Sequence, residues 1–271
     1  MRAVALFLLA VLAQPASAQQ AHFDVMASRG AVIGWEAVGR VESGQGMCTG
    51  TLIARSFVLT AAHCVFDAGG TRIAPDRLRF RAGYQNGEAI AERRVADYVV
   101  AAGYRAGAGG KIDGAMIAND LAVLKLDAEI FSSEADPFAV ADAPPDGLEV
   151  SVVSYGQGRM EVLSRQARCN LTEHYGGGVL GFDCDVTFGS SGAPVFGMVD
   201  GRLRILSVIS AMGRGPDGQK RAFGMTLPQQ VQTLMGQLYV DGSRPKPTNG
   251  ARRITVGKPQ AQTSGAKFVR P

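Results

Sequence analysis

Gly189-Ser190-Ser191-Gly192-Ala193-Pro194 is the stretch on which the fold reading turns, because two other short motifs precede it in the same 271-residue chain: Thr60-Ala61-Ala62-His63-Cys64 and Asn119-Asp120-Leu121-Ala122-Val123-Leu124. A serine hydroxyl is a weak nucleophile at neutral pH. It needs an imidazole to take its proton and a carboxylate to orient that imidazole and stabilise it once charged. His63, Asp120 and Ser191 supply those groups, in that order. Taken singly, each has a plainer reading: His63 as a core histidine, Asn-Asp before an apolar run as an ordinary turn, and Ser191 as part of any tight loop.

The residues around these motifs resemble the trypsin/chymotrypsin family of serine proteases, from about Trp35 to Val240. The resemblance includes the cysteine-bearing strand before the histidine, Cys48-Thr49-Gly50-Thr51-Leu52-Ile53, followed by Val58-Leu59-Thr60. The family's nucleophile motif, Gly-Asp-Ser-Gly-Gly-Pro, is changed here at Ser190 and Ala193, which is similar to a bacterial branch, the glutamyl endopeptidases. The resemblance implies an all-β fold of two six-stranded antiparallel β-barrels with the active site in the cleft between them. The separations, 57 residues from His63 to Asp120 and 71 from Asp120 to Ser191, suit a histidine and aspartate on one barrel and a serine on the next. Chain order excludes two other serine hydrolases. An α/β-hydrolase runs Ser, acid, His and needs glycine where Ala193 stands, and a subtilisin-type enzyme runs Asp, His, Ser.

The roles that follow from the resemblance are a His63–Asp120–Ser191 triad and an oxyanion hole made by the backbone N–H groups of Gly189 and Ser191. Trypsin-like zymogens carry an aspartate before the nucleophile, which pairs with a new N-terminus after cleavage. Ser190 stands there instead, and the nearest stretch to an Ile-Val-Gly-Gly start is Ala31-Val32-Ile33-Gly34. The oxyanion loop is therefore expected not to depend on that salt bridge. Asp185, six residues before Ser191, lies where trypsin-like members hold an aspartate that selects Arg or Lys, so cleavage after Arg/Lys is the first expectation. Ser210 and Met212 belong to the same specificity pocket. Ile209 precedes Ser210 where the glutamyl branch has a histidine, and Met212 narrows a place that glycine commonly keeps open. Small or apolar residues, or Glu, are the alternatives. A catalytically silent binding module built on the same fold is the competing class, against which the complete triad argues.

Arg2, the apolar run Ala3–Ala13 and Ala16-Ser17-Ala18 read as a signal peptide cleaved after Ala18. The apolar run is short of the roughly twenty residues that span a bilayer, so no transmembrane anchor is expected. A secreted or periplasmic destination suits four cysteines. Four cysteines allow three pairings. The family resemblance selects Cys48 with Cys64, and proximity makes Cys169 with Cys184 the second pair. No Cys-x-x-Cys or His-x-x-x-His spacing supports a metal, and no cofactor is expected.

The net charge of +4 is an average over unlike parts. From Asp241 to Pro271 seven basic residues face one acid, a charge of +6, and the body from Gln19 to Val240 is left with −3. This tail has little to bury and reads as a disordered end able to contact acidic surfaces. Protein or peptide substrates, and no nucleic acid, are the expected partners. The body, residues 19–240, suits one all-β unit. Short apolar runs such as Leu121–Leu126, Val150–Tyr155 and Leu203–Ile209 alternate with turn clusters. Val231, Leu234, Met235 and Leu238 recur at helical spacing after Pro228, predicting a closing helix on the second barrel. Gly107-Ala108-Gly109-Gly110-Lys111-Ile112 lacks the Ser or Thr of a phosphate loop and reads as a flexible loop before Asp120. Gly176-Gly177-Gly178 reads as a surface turn, and Asn170-Leu171-Thr172 as a weak glycosylation match.

Overall fold

The computed structural model describes residues 22–44, 46–106, 112–142 and 146–242; the segment read as a signal peptide, Gly107–Lys111 and the residues beyond 242 lie outside them. A short strand β1 (Phe23–Val25) and a single helical turn α1 (Arg29–Val32) lead into β2 (Val38–Glu42), β3 (Met47–Ala54), β4 (Phe57–Thr60), β5 (Arg79–Ala82), β6 (Ala91–Val100), the short helix α2 (Gly114–Ala118) and β7 (Ala122–Leu126). β2 to β7 close an antiparallel six-stranded barrel in the order β2-β3-β4-β7-β6-β5. Closure leaves no unpaired edge. Its tightest strand, Phe57-Val58-Leu59-Thr60, is buried at every residue, as a continuous apolar run of strand length implies.

The second half contains β8 (Glu149–Ser154), β9 (Ser164–Tyr175), β10 (Val179–Phe182), β11 (Pro194–Val199), β12 (Arg202–Val208), β13 (Ala211–Arg214) and β14 (Lys220–Met225). Together with β1 they make an eight-stranded sheet in the order β12-β11-β8-β9-β10-β14-β13, with β1 paired to β9. This departs from the expected second six-stranded barrel, because the backbone ladder does not close. The sheet curls instead until the Ser207 hydroxyl on β12 donates to the Met225 carbonyl on β14 at 2.9 Å, and Ser210 N–H to the Phe223 carbonyl at 2.9 Å.

Helix α3 (Pro228–Gly242) follows β14. It runs two residues into the segment read as tail. Val231, Leu234 and Leu238 are buried, and they join the core of the closed barrel, where α3 lies against β6 and β7. The helical period predicts the apolar face but not its partner, which is the first barrel rather than the second.

Two disulfides join Cys48 to Cys64 and Cys169 to Cys184, with Cα separations of 6.0 and 5.0 Å. The first ties β3 to the 3-10 turn Ala62–Val65 that carries His63. The halves are also pinned at their seam: Arg40 on β2 pairs with Glu161 at 3.0 Å, the Tyr84 hydroxyl donates to Glu161 at 2.5 Å, and the buried Tyr155 hydroxyl donates to the Tyr84 carbonyl at 2.9 Å.

Candidate active site

His63 stands at the start of the loop after β4, inside the 3-10 turn fixed by the Cys48–Cys64 bond. Asp120 reaches it from the opposite strand connection. Asp113 caps α2 by accepting from the Met116 N–H at 2.8 Å, the five-residue helix ends at Asn119, and the chain then turns into β7 with Asp120 at the bend. Asn119 seals that bend by donating from Nδ2 to the Ala115 carbonyl at 2.8 Å. The glycine-rich reading of this region missed the helix, which is too short to show a period; Asp113 was its one sequence signal.

Asp120 is only 4% exposed, and three donors converge on its carboxylate. The His63 N–H donates to Oδ1 at 2.8 Å, His63 Nδ1 lies 2.7 Å from Oδ2, and the Ser210 hydroxyl donates to Oδ2 at 2.6 Å. A carboxylate on Nδ1 fixes the imidazole tautomer and leaves Nε2 free to accept a proton. Burial alone pulls His63 toward the neutral form. The hydrogen bond to Asp120 and its charge pull harder the other way, so the imidazole titrates above its ordinary value.

Ser191 comes from the other half, on the loop before β11, and lines the same cleft of about 540 Å³ as His63 and Asp120. Among the described residues no hydrogen bond joins Ser191 to His63; such contacts are often long in a free enzyme and tighten with substrate. The loop is stitched to β3 twice: Thr49 N–H donates to the Ser191 carbonyl at 2.8 Å, and the Thr49 hydroxyl to the Gly189 carbonyl at 2.8 Å. Gly189 and Gly192 both have positive φ, +89° and +79°. A Cβ at Gly189 would stand 2.3 Å from the Tyr155 carbonyl oxygen, and one at Gly192 would stand 2.2 Å from that of Thr49. Only glycine takes that backbone at that distance.

The Phe188 carbonyl accepts from the Gln157 N–H at 2.7 Å. Because a trans peptide points its C=O and N–H in opposite directions, the Gly189 N–H is turned away from Gln157, and Gly189 and Ser191 line the same cleft. Among the described residues neither the Gly189 nor the Ser191 N–H has an acceptor. Ser190 is fully buried and its hydroxyl lies 3.1 Å from that of Ser154, with the Thr187 N–H at 3.4 Å. A pair of neutral hydroxyls occupies the place where the family holds a charged aspartate.

The cleft walls are mainly apolar and include Ile112, Met116, Val186, Phe188 and Met212, of which Phe188 is 72% exposed. Ser210 and Met212 both line it; Asp185 does not. Asp185 is exposed on a second depression beside Arg168, Arg214, Lys220 and Arg221, and its backbone N–H is tied to Gln166 Oε1 at 2.8 Å. Spacing along the chain gave its distance from Ser191 but not the direction of its side chain. Gln157 and Thr49 are contributors that sequence reasoning did not single out, since each acts through a loop contact distant in the chain, and Asn119 is one that acts through a local bond to Ala115.

The trypsin family model matches residues 25–224. Similar solved structures include a Glu endopeptidase in complex with MPD, at 19% identity and TM-score 0.65, covering 80% of this chain and 96% of that one. A thermostable serine protease from an extremophilic microorganism is 22% identical, with TM-score 0.58 and coverage of 77% and 98%. The protease Anisep from Arthrobacter nicotinovorans is 20% identical, with TM-score 0.58 and coverage of 74% and 94%. No curated protein matches the chain.

Proposed function

The chain belongs to the trypsin family and is a serine endopeptidase, and from that premise we propose that it cleaves peptide bonds through Ser191, His63 and Asp120, outside the reducing cytoplasm. Ser191 attacks the peptide carbonyl as His63 Nε2 takes its proton. The same imidazole then returns the proton to the leaving amine, and water repeats the sequence to release the acyl group. Asp120 holds the tautomer and stabilises the imidazolium. The Gly189 and Ser191 N–H groups receive the negative charge that grows on the carbonyl oxygen, a contribution of about 3 kcal/mol for each donor.

The observation that carries this reading is the convergence of the His63 N–H, His63 Nδ1 and Ser210 Oγ on one buried carboxylate, in a cleft lined also by Gly189 and Ser191, whose N–H groups have no acceptor among the described residues. For a merely structural histidine the second nitrogen would be engaged, and the N–H pair would find acceptors. The two disulfides support a secreted or periplasmic location.

Cleavage follows small or apolar residues rather than Arg or Lys. What supports this over the Arg/Lys reading is the lining: the one carboxylate among its described residues, Asp120, is already shared between His63 and Ser210, and Asp185 lines a different depression. For the Glu alternative, which the Glu endopeptidase neighbour favours, the described residues of the same lining offer no Arg or Lys. The test is digestion of a mixed peptide library by the protein, by Ser191→Ala and by Asp185→Asn, with cut sites read by mass spectrometry. Cuts should vanish in Ser191→Ala and keep the same apolar preference in Asp185→Asn. Cuts after Arg/Lys that Asp185→Asn abolishes would restore the basic reading, and cuts after Glu would install the other.

A further inference from the structure

Arg159 has no part in the chemistry above, yet it is held in a costly way. Its Nε and Nη2 atoms are buried and make no hydrogen bond, a state that buried donors avoid. Its guanidinium carbon stands 3.7 Å from the centre of the Phe23 ring, close enough for the cation to rest on the aromatic face. On Gly156 the same group leaves no room: a Cβ there would be 2.8 Å from Arg159 Nη2 and 2.7 Å from Thr187 Oγ1. Phe23 belongs to β1, where it is paired with Gln166 of β9.

The turn that Arg159 closes is the one that sets the Phe188–Gly189 peptide. Arg159 N–H donates to the Gly156 carbonyl at 2.9 Å, and Gln157 N–H, between them, reaches the Phe188 carbonyl at 2.7 Å and the Thr187 hydroxyl at 2.9 Å. If that peptide turned over, the Phe188 carbonyl would face Ser191 in place of the Gly189 N–H, and it would repel an oxyanion instead of binding it. Nothing charged anchors the adjoining Ser190, whose hydroxyl is satisfied by Ser154 and Thr187.

We propose that Arg159, clamped by Phe23, is a positioning residue for the oxyanion donor Gly189: strand β1 braces the 156–159 turn, and the turn holds the Phe188–Gly189 peptide with its N–H in the cleft. This rests on the reading of Ser191 as nucleophile and Gly189 as oxyanion donor. It makes strand β1 a support of the proposed oxyanion donor through a stacked cation and an aromatic ring.

The test compares wild type, Phe23→Ala, Phe23→Trp and Arg159→Met in the full chain, on a peptide substrate and on two inhibitors of the same sequence. The inhibitors are a peptidyl aldehyde, whose adduct with Ser191 carries an oxyanion, and a peptidyl alcohol, which forms no such adduct. Phe23→Ala and Arg159→Met should lower kcat by about tenfold or more, with KM changed less than about twofold, and weaken the aldehyde by a similar factor while the alcohol binds as before. Phe23→Trp, which keeps the ring face, should match wild type. Phe23 is half-buried and outside the main core, so Phe23→Ala carries the test if Arg159→Met does not fold. Unchanged kcat and aldehyde affinity in Phe23→Ala, or equal losses for aldehyde and alcohol, would overturn the proposal. A wild type that neither cleaves peptides nor takes a fluorophosphonate label would overturn the nucleophile reading beneath it. A labelled, active wild type matched by both variants sinks the positioning role alone.

Discussion

The hydroxyl of Thr49 donates to the carbonyl of Gly189 at 2.8 Å, a contact that crosses from β3 of the closed barrel to the loop carrying Ser191, the proposed nucleophile. The same oxygen accepts from the Tyr155 N–H at 3.1 Å, and Thr49 is fully buried. Thr49→Val keeps the shape and strands two backbone groups. Each orphaned group costs about 1–3 kcal/mol, so the thermal midpoint should fall. Because one of those groups belongs to Gly189, kcat should fall more than KM rises. Measuring both on one preparation checks the pairing of effects; a loss of stability with kcat intact would show that the stitch holds the halves together without aligning the loop.

The upward shift of His63 has a sign that activity and stability read oppositely. Burial works against the charged imidazole and the Asp120 hydrogen bond and charge work for it more strongly. The base must be neutral to act, so kcat/KM should decline as pH falls through a value above the ordinary 6.5. The folded pKa being raised, the contribution to stability is complete below the unfolded value and is lost as pH rises through the folded one. The fold therefore gains most from this pair where the enzyme is least active. Asp120→Asn should move the acid arm of the rate profile to lower pH and reduce the rate on the order of 10⁴-fold. An acid arm that does not move would mean that His63 is not the group titrating.

Restoring the family's aspartate should harm this protein. Ser190 is fully buried, with only the Ser154 hydroxyl and Thr187 N–H as described partners, so Ser190→Asp places a carboxylate there with no cation to meet it. A loss of about 3–5 kcal/mol at neutral pH is expected. The deficit should shrink on acidification, since burial raises the carboxyl pKa and the neutral form is tolerated. Denaturant midpoints at two pH values decide this, and a variant as stable as wild type at pH 7 would reveal a cation reaching the site.

The sequence was most informative where chemistry dictates residue type. His63, Asp120 and Ser191 stood out because the proposed nucleophile, base and orienting carboxylate admit few substitutes, and Gly189 because a donor turned into the proposed oxyanion hole needs a backbone that other residues rarely take. The strands of the closed barrel were legible as short apolar runs. Harder to see were features made by direction and by distance along the chain. Asp185 sits at the expected spacing yet lines a neighbouring depression rather than the cleft, α2 is a single capped turn with no period to read, and β1 is three residues that place one ring, Phe23, against Arg159. The apolar stripe of α3 announced a helix, but nothing in a stripe says which of two cores it covers. The second half was expected to close as the first does; among the described residues its ends meet through the Ser207 hydroxyl and the Ser210 N–H rather than through a strand ladder, and two such single bonds give no pattern.

The hydroxyl pair of Ser154 and Ser190 also bears on alkaline conditions. A latch built from a terminal amine and a carboxylate weakens when the amine loses its proton, near pH 8 for an ordinary α-amino group. Two serine hydroxyls have no charge to lose in that range. The contact that holds the loop bearing Ser191, the proposed nucleophile, thus has no proton to lose in that range, and an alkaline limit of activity would be set elsewhere than at this latch.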